Sequence, residues 1–303
     1  MTDIARAATT TVYALVATRA RFRPDSLALV DGPRRITYAE LIVLADRMAA
    51  DLTARGVARG DRVAVLSENR WEYTVLQLAC ARIGAMVACL NWRLVAPELA
   101  YCIDLVEPAL LVASPRHMAL AKAAGRAPVA IDSIGTDGES PMASGAEDGF
   151  TIIYTSGTTG RPKAAVISQR AQIARMTAFR IDLGLSNDDA YIAWAPMFHM
   201  GGTEHSISTL MVGGTVIIHD GFQTDPIIDN LQEFPVGWLM TVPATTEMLL
   251  AGLKQRNPVI KGVKTVGAMA DMVPASVINE ITTLLDAPYM NSFGATETGF
   301  PPL

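Results

Sequence analysis

Short apolar runs alternate with helical patterns along most of this chain, and this alternation limits the folds open to it. The runs are rich in β-branched residues, whereas the segments between them repeat apolar residues at helical spacing. Strand, helix and strand in succession form parallel sheets with helices on their faces. The predicted fold is therefore α/β, with strands at residues 62–66, 86–90, 110–113, 151–154, 191–194, 215–219, 238–242 and 265–268, and helices at residues 71–83, 97–106, 169–182, 225–234, 244–256 and 275–285.

Local features add a helix start and a lobe boundary. Thr37 and Glu40 have capping-box spacing ahead of a helical pattern that ends at Gly56. Residues 135–149 are rich in Gly, Ser, Asp and Glu, a composition typical of connecting segments. We expect two fused lobes with mainly parallel sheets flanked by helices, lobe 1 at about residues 1–140 and lobe 2 at about residues 150–303.

The composition favours a protein that acts on small molecules. Half of the 303 residues are apolar and 18% are charged, which allows a large core. A net charge of -5 without a basic run argues against nucleic acid as a partner. No stretch is long and apolar enough to predict a membrane span. The N-terminus lacks the apolar segment of a signal peptide, so we expect a cytoplasmic location.

The three cysteines, Cys80, Cys89 and Cys102, lie in apolar stretches and show no CxxC spacing. An odd number without such spacing argues against a disulfide framework or a zinc site. We predict that they are reduced thiols in the core.

A glycine-rich segment after a predicted strand carries the clearest functional signal. Residues 154–163 read Tyr-Thr-Ser-Gly-Thr-Thr-Gly-Arg-Pro-Lys. Glycines let the backbone approach an oxyanion, hydroxyls donate hydrogen bonds and the lysine supplies a cation, which predicts a phosphate-binding loop. A polar surface turn is the alternative. The spacing matches neither a Walker A loop nor the GxGxxG of a dehydrogenase. The candidate nucleotide-binding residues are Thr155, Ser156, Gly157, Thr158, Thr159, Gly160 and Lys163.

This segment resembles the phosphate loop of adenylate-forming enzymes, the superfamily of acyl-CoA synthetases, peptide-synthetase adenylation domains and beetle luciferases. The family usually has glycine after the lysine, where this chain has Ala164. Residues 91–94, Asn-Trp-Arg-Leu, also resemble a stretch common among acyl-CoA synthetases. The resemblance implies the N-terminal portion of the adenylate-forming fold.

Two later segments resemble the family's acid-binding motifs. Residues 196–202, Pro-Met-Phe-His-Met-Gly-Gly, are similar to its aromatic-or-histidine motif, which implies that His199 orients or shields a carboxylate. A histidine that only packs in the core is the alternative. Residues 267–270, Gly-Ala-Met-Ala, are similar to the segment that lines adenine and the acyl group, where small residues permit close approach. The substrate candidates are His199, Met200, Gly201, Trp238 and Gly267, and the nucleotide candidates are Gly267, Ala268 and Met269.

Residues 291–298, Asn-Ser-Phe-Gly-Ala-Thr-Glu-Thr, resemble the family's adenine and magnesium motif. The resemblance implies that Phe293 stacks on adenine, Thr296 meets phosphate and Glu297 holds Mg²⁺. Many family members have tyrosine at the position of Phe293. The nucleotide candidates here are Asn291, Ser292, Phe293, Gly294 and Thr296, and the catalytic candidates of the chain are Lys163, His199, Thr296 and Glu297.

The implied reaction begins with attack of a carboxylate on the α-phosphorus of ATP, which releases pyrophosphate and leaves an acyl-adenylate. ATP, Mg²⁺ and, as co-substrate for the thioester step, coenzyme A are the implied partners. The chain ends shortly after Glu297, before the family's ribose-binding aspartate, its hinge and its C-terminal lid. We expect a truncated N-terminal AMP-binding domain that is weak or inactive alone.

Several alternatives stay open within this reading. The chain could be a non-catalytic fragment that binds ATP and a carboxylate, or belong to a fatty acyl-adenylate ligase or a carrier-linked adenylation domain. A homodimer is compatible with the sequence. The apolar candidates favour an aryl or medium aliphatic acid without naming it, and side chains that only pack in the core are the alternative; the candidates are Met197, Phe198, Met200, Trp238 and Met269.

Overall fold

The structure is a computed structural model that describes residues 9–155, 161–269, 272–292 and 294–299. Helices and strands alternate over these ranges, with two short 3₁₀ turns at Pro115–His117 and Ile131–Ser133. The helices are α1 (Val12–Phe22), α2 (Tyr38–Ala54), α3 (Trp71–Ile83), α4 (Ala96–Val106), α5 (Met118–Ala123), α6 (Gln169–Leu183), α7 (Met200–Val212), α8 (Thr224–Glu233), α9 (Pro243–Arg256) and α10 (Ala275–Leu285). The strands are β1 (Leu27–Asp31), β2 (Arg34–Thr37), β3 (Arg62–Leu66), β4 (Met86–Cys89), β5 (Leu110–Ala113), β6 (Val129–Ala130), β7 (Gly149–Thr155), β8 (Lys163–Ser168), β9 (Ala190–Ala193), β10 (Thr215–Ile218), β11 (Val236–Thr241), β12 (Val263–Met269) and β13 (Tyr289–Ser292).

The strands form two sheets, and this confirms the predicted α/β fold with mainly parallel sheets. One sheet has the order β13-β12-β11-β9-β10-β1-β2 and the other has the order β6-β5-β3-β4-β7-β8. Within each sheet the described pairs are parallel except at one edge, where β2 and β8 run antiparallel to their neighbours. The carboxyl ends of most strands in a sheet therefore lie along one edge, where open α/β sheets bind ligands.

The expected lobe boundary near residues 140–150 does not separate the two sheets. The β1–β2 hairpin, from the first part of the chain, joins the seven-stranded sheet because Leu29 pairs with Val216 of β10. Conversely, β7 and β8, expected in the second lobe, extend the six-stranded sheet because Val87 of β4 pairs with Thr151. The two sheets are thus interleaved along the sequence. A composition change marks a surface connection, but it carries no information on which distant strands pair.

The buried residues form three apolar clusters arranged about the two sheets. The largest contains residues of both sheets together with α1, α2, α3 and α7, and it joins the sheets. A second cluster packs α8, α9 and α10 on the seven-stranded sheet, and a third packs α4 and α5 on the six-stranded sheet. The three cysteines are buried and free, as predicted, and burial raises the pKa of the Cys102 thiol to about 11. None of the helices in the described ranges is long and apolar enough to cross a bilayer.

Candidate active site

An open cleft of about 640 Å³ lies where strand ends of the two sheets face each other. The six-stranded sheet contributes Thr155 at the end of β7, and the seven-stranded sheet contributes the segments that follow β9 and β11. The turn after β13 closes another side. The lining residues are Arg93, Thr155, Trp194, Ala195, Pro196, His199, Met200, Met240, Thr241, Val242, Gly294, Ala295, Thr296 and Glu297.

His199 stands at the entrance of α7 and opens onto the cleft. Its ring nitrogen Nδ1 accepts a hydrogen bond from the Gly201 N–H at 3.2 Å, so the imidazole caps the helix that it precedes. Desolvation by the surrounding protein lowers the pKa of His199, which keeps the ring neutral near pH 7. With Nδ1 as acceptor, Nε2 carries the proton, so the ring can donate one hydrogen bond to a carboxylate in the cleft.

The two glycines after His199 are required by close packing. A Cβ atom at Gly202 would lie 2.3 Å from the carbonyl oxygen of Pro196, so the first turn of α7 rests directly on the preceding loop. A Cβ atom at Gly201 would lie 3.1 Å from the Met240 side chain, which forms the apolar wall of the cleft. A side chain at Gly202 would therefore displace the loop that carries His199, whereas one at Gly201 would press on the Met240 side chain.

Asn69 holds the loop that carries His199. Its side-chain amide is buried, donates to the carbonyl oxygens of Ala195 (2.8 Å) and His219 (2.9 Å), and accepts from the N–H of Met197 at 2.8 Å. Because Asn69 follows β3 of the six-stranded sheet, these bonds tie that sheet to the loop after β9 of the other sheet. The His199 side of the cleft therefore has a position fixed from both sheets.

Aromatic side chains complete this side of the cleft. Trp194 donates from Nε1 to the Met240 carbonyl oxygen at 2.7 Å, which links the ends of β9 and β11. The Arg93 guanidinium lies 5.0 Å from the ring centre of Trp92 and 5.6 Å from that of Phe198. None of the acidic residues in the described ranges pairs with it, so the cleft has a cation at its edge that is held by two aromatic rings.

The turn after β13 presents Thr296 and Glu297 to the cleft. It is closed by hydrogen bonds from the N–H of Gly299 to the Ala295 carbonyl (2.7 Å) and from the N–H of Thr298 to the same oxygen (3.1 Å). The Glu297 side chain is exposed, and no cationic side chain of the described residues contacts its carboxylate. One free carboxylate suits Mg²⁺, which keeps several waters and bridges phosphates rather than using an all-protein cage. Glu297 therefore fits the metal role, although no cluster of three metal-ligating side chains occurs among the described residues.

The structure brings together only part of the predicted site. Thr155, His199, Met200, Gly294, Thr296 and Glu297 line the cleft, and Gly201 backs it. Residues 156–160 and Phe293 lie outside the described residues, as do the side chains of Met269 and Ser292. The predictions that fall on them stay predictions.

Lys163 and Trp238 are not among the described residues that line the cleft. Lys163 is the first residue of β8 and pairs with Thr155 of β7. It lines a surface groove together with Arg62 and Tyr101. Trp238 is 1% exposed and lines a small internal cavity beside Phe179. Trp238 lies in an apolar run because it is a core residue: α6 and α7 cover this position of β11.

Gly267, Ala268 and Asn291 belong to the sheet rather than to the lining of the cleft. A Cβ atom at Gly267 would lie 1.9 Å from the carbonyl oxygen of Met290 on β13. The glycine is therefore needed for the approach of two strands, whereas the sequence suggested close approach of a ligand. Ala268 is buried in β12, and Asn291 pairs with it across the strands.

Comparison with known proteins places the chain in a family. The model of the AMP-binding enzyme family matches residues 16–301. The chain is 31% identical over 301 residues to an indoleacetate–CoA ligase of Aromatoleum aromaticum and 30% identical over 285 residues to a feruloyl-CoA synthase of an Amycolatopsis species. Each alignment covers 92% of this chain and 58% of the relative, so the chain spans little more than half of their length.

Solved structures share the fold. The inhibitor-bound N-terminal domain of FACL13 from Mycobacterium tuberculosis superimposes with a TM-score of 0.86 at 24% identity, over 95% of this chain and 76% of that one. The o-succinylbenzoate CoA synthetase of Bacillus subtilis, in complex with ATP and magnesium ion, gives a TM-score of 0.84 at 22% identity, over 95% of this chain and 60% of that one. The match over residues 16–301 and the shared two-sheet architecture lead to one assignment: this chain belongs to the AMP-binding enzyme family.

Proposed function

We propose that this chain is the ATP- and acid-binding part of an AMP-forming acid–thiol ligase, which converts a carboxylic acid to an acyl-adenylate and then to a coenzyme A thioester. One observation carries the proposal. Thr155, His199 and the pair Thr296–Glu297 come from three separate parts of the sequence and line one cleft. The relatives at 31% and 30% identity are CoA ligases, whereas a medium/long-chain-fatty-acid–[acyl-carrier-protein] ligase of Mycobacterium tuberculosis is 28% identical. We therefore choose coenzyme A as the acceptor and keep a carrier protein as the alternative.

The acid lies on the side of His199 in this proposal. The neutral imidazole donates from Nε2 to the substrate carboxylate, and the loop held by Asn69 keeps it oriented toward the cleft. Met200, Met240 and Trp194 give the apolar surface for the acid's hydrophobic part. An aryl or medium aliphatic acid fits this lining better than a charged amino acid.

The nucleotide lies on the side of Thr155 and the turn after β13. Thr155 and Thr296 supply hydroxyls for phosphate oxygens, and Glu297 would hold Mg²⁺. When bound, the metal ion would offset charge on the phosphate oxygens as pyrophosphate leaves. The protein needs no nucleophile of its own, because the acid attacks the α-phosphorus directly. Lys163 keeps its predicted role toward the polyphosphate as a proposal, and its pairing with Thr155, which lines the cleft, supports that role.

The test is carboxylate-dependent exchange of labelled pyrophosphate into ATP. The chain is assayed with aromatic acids and with short, medium and long aliphatic acids. Exchange that depends on an aryl or medium aliphatic acid is the expected result, and the preferred acid names the substrate class. ATP binding without exchange for any acid would favour the alternative, a fragment that binds both ligands without turnover. This alternative is tested because the chain spans only 58% of the relative's length.

A further inference from the structure

A buried ion pair lies behind the turn that carries Glu297. Arg175 on α6 contacts the Glu204 carboxylate on α7 through Nη1, and their side chains are only 13% and 6% exposed. Burial raises the pKa of Glu204 to about 7, and Arg175 acts in the opposite direction. Taking two charges out of water is costly, so a buried pair is weak evidence for added stability. Its other contacts indicate what it does.

The second arm of the Arg175 guanidinium binds the backbone of the turn. Nη2 donates to the carbonyl oxygens of Thr296 at 3.0 Å and Glu297 at 2.8 Å. These two residues are the ones that present a hydroxyl and a carboxylate to the cleft. Hydrogen bonds from a charged donor are among the stronger ones in proteins, so the guanidinium limits the positions that the turn can take.

The turn also rests on the stem of the same arginine. Gly299 has a φ of +71°, and a Cβ atom there would lie 2.7 Å from Arg175 Cδ and Nε. The glycine thus permits a close contact between the turn and the side chain, in a backbone conformation that side chains disfavour. The guanidinium and its stem together support the turn at both ends.

The pair connects the chain segments that form the cleft. Helix α6, which carries Arg175, directly follows β8, and α7, which carries Glu204, begins after His199. Gln172 adds a second link, since its Nε2 donates to the Glu204 carbonyl oxygen at 3.1 Å. A shift of either helix would move the turn relative to His199.

We propose that Arg175 and Glu204 are positioning residues that hold the Thr296–Glu297 turn in the geometry needed for magnesium-dependent binding of ATP. Arg175 holds the turn, and Glu204 orients the guanidinium so that its second arm faces the two carbonyl oxygens. This inference rests on the proposed function, because it assumes that Glu297 binds the metal.

The test measures the dissociation constant of ATP by calorimetry with and without Mg²⁺. Arg175→Met should weaken binding in Mg²⁺ about tenfold and change binding without Mg²⁺ much less. Arg175→Lys keeps the charge but lacks the planar fork, so it should recover only part of the loss. Arg170→Met is the matched control: Arg170 lies on the same helix, is exposed and pairs with exposed Glu147, and its loss should leave both constants unchanged.

Two further variants separate positioning from folding. Arg175→Met leaves Glu204 buried alone, so Arg175→Met/Glu204→Met removes both charges and should restore stability without restoring magnesium-dependent affinity. Glu297→Gln tests whether the Glu297 carboxylate is needed for magnesium-dependent binding of ATP. If Glu297→Gln weakens binding while Arg175→Met and Arg175→Met/Glu204→Met bind ATP with Mg²⁺ as wild type does, the positioning role is wrong. If Glu297→Gln also binds as wild type does, the proposed metal role is wrong, and the positioning role is overturned with it.

Discussion

The two sides of the cleft, which we propose to bind the acid and the nucleotide, are held in place by different means. On the acid side, His199 and Trp194 follow core strands, and Asn69 ties their loop to the other sheet through buried hydrogen bonds. On the nucleotide side, the turn at residues 294–299 is held by its own backbone bonds and by Arg175. A change to buried Asn69 should therefore alter folding stability, whereas a change to an exposed side chain of the turn, such as Glu297, should alter binding with little effect on stability.

The largest expected effect is on the nucleotide side. Glu297→Ala should lower the rate of adenylate formation by about 100-fold or more, because the carboxylate that would hold the metal is lost. The side chain is exposed, so the free energy of unfolding should change by less than about 0.5 kcal/mol. Pyrophosphate exchange and urea denaturation measure the two quantities. Glu247→Ala, which removes an exposed glutamate of α9, is the control. If Glu297→Ala lowered activity and stability by equal free energies, the turn would affect folding as well as binding, and the stated difference between the two sides would be wrong.

The next effect is on the acid side. Asn69→Ala leaves the buried carbonyl of Ala195 and the N–H of Met197 without the amide that pairs with them. The free energy of unfolding should fall by about 2 to 4 kcal/mol, since buried polar groups lose their partners. Urea denaturation checks this, with exposed Asn187→Ala as the matched control. A loss below about 0.5 kcal/mol would mean that the loop does not depend on Asn69.

The last expected effect is small near pH 7 and grows as the pH falls. His205 on α7 is buried, which lowers its pKa to about 3, so the folded protein keeps it neutral while the unfolded chain protonates it below about pH 6.5. The unfolded state then binds more protons, and this site removes up to about 1.4 kcal/mol of stability per pH unit as the pH falls from 6 to 4. His205→Phe should therefore lose less stability over that range than wild type. Parallel losses in both proteins would show that His205 does not contribute.

Much of the fold could be predicted because buried parallel strands appear in the sequence as short apolar runs. The predictions for β3, α3, β5 and α10 agree with the structure residue for residue. The capping box at Thr37 and Glu40 is also present. Local patterns suffice for these elements, since their signals lie within a few neighbouring residues.

Other features of the fold gave no comparable local signal. The edge strand β2 contains exposed Arg34 and Arg35, so it lacks an apolar run. The pairing of β1 with β10 joins residues that are far apart in sequence. Helix α7 is buried on nearly every side, which removes the amphipathic pattern by which a helix is recognised.

The residues of the site also differ in whether the sequence could predict them. Thr155, His199, Thr296 and Glu297 line the cleft and could be predicted as candidates because each belongs to a contiguous motif. Arg93, Trp194 and Met240 line the cleft because particular strand ends meet there, and Asn69 acts on a loop more than 120 residues away in sequence. Which strand ends lie next to each other depends on the order of the strands in the sheets, and local sequence patterns do not give that order. The one available signal was that Trp194 lies at the end of a predicted strand.

The central claim is that one cleft binds the acid against His199 and the nucleotide against the turn at Glu297. Its most direct test is a crystal structure of the chain with a hydrolysis-resistant acyl-adenylate analogue that carries an aryl group. The account predicts the aryl group against Trp194 and Met240, the carbonyl mimic within hydrogen-bond distance of His199 Nε2, and the nucleotide beside Thr296. An analogue bound elsewhere, or bound here with its acyl group directed away from His199, would contradict the account.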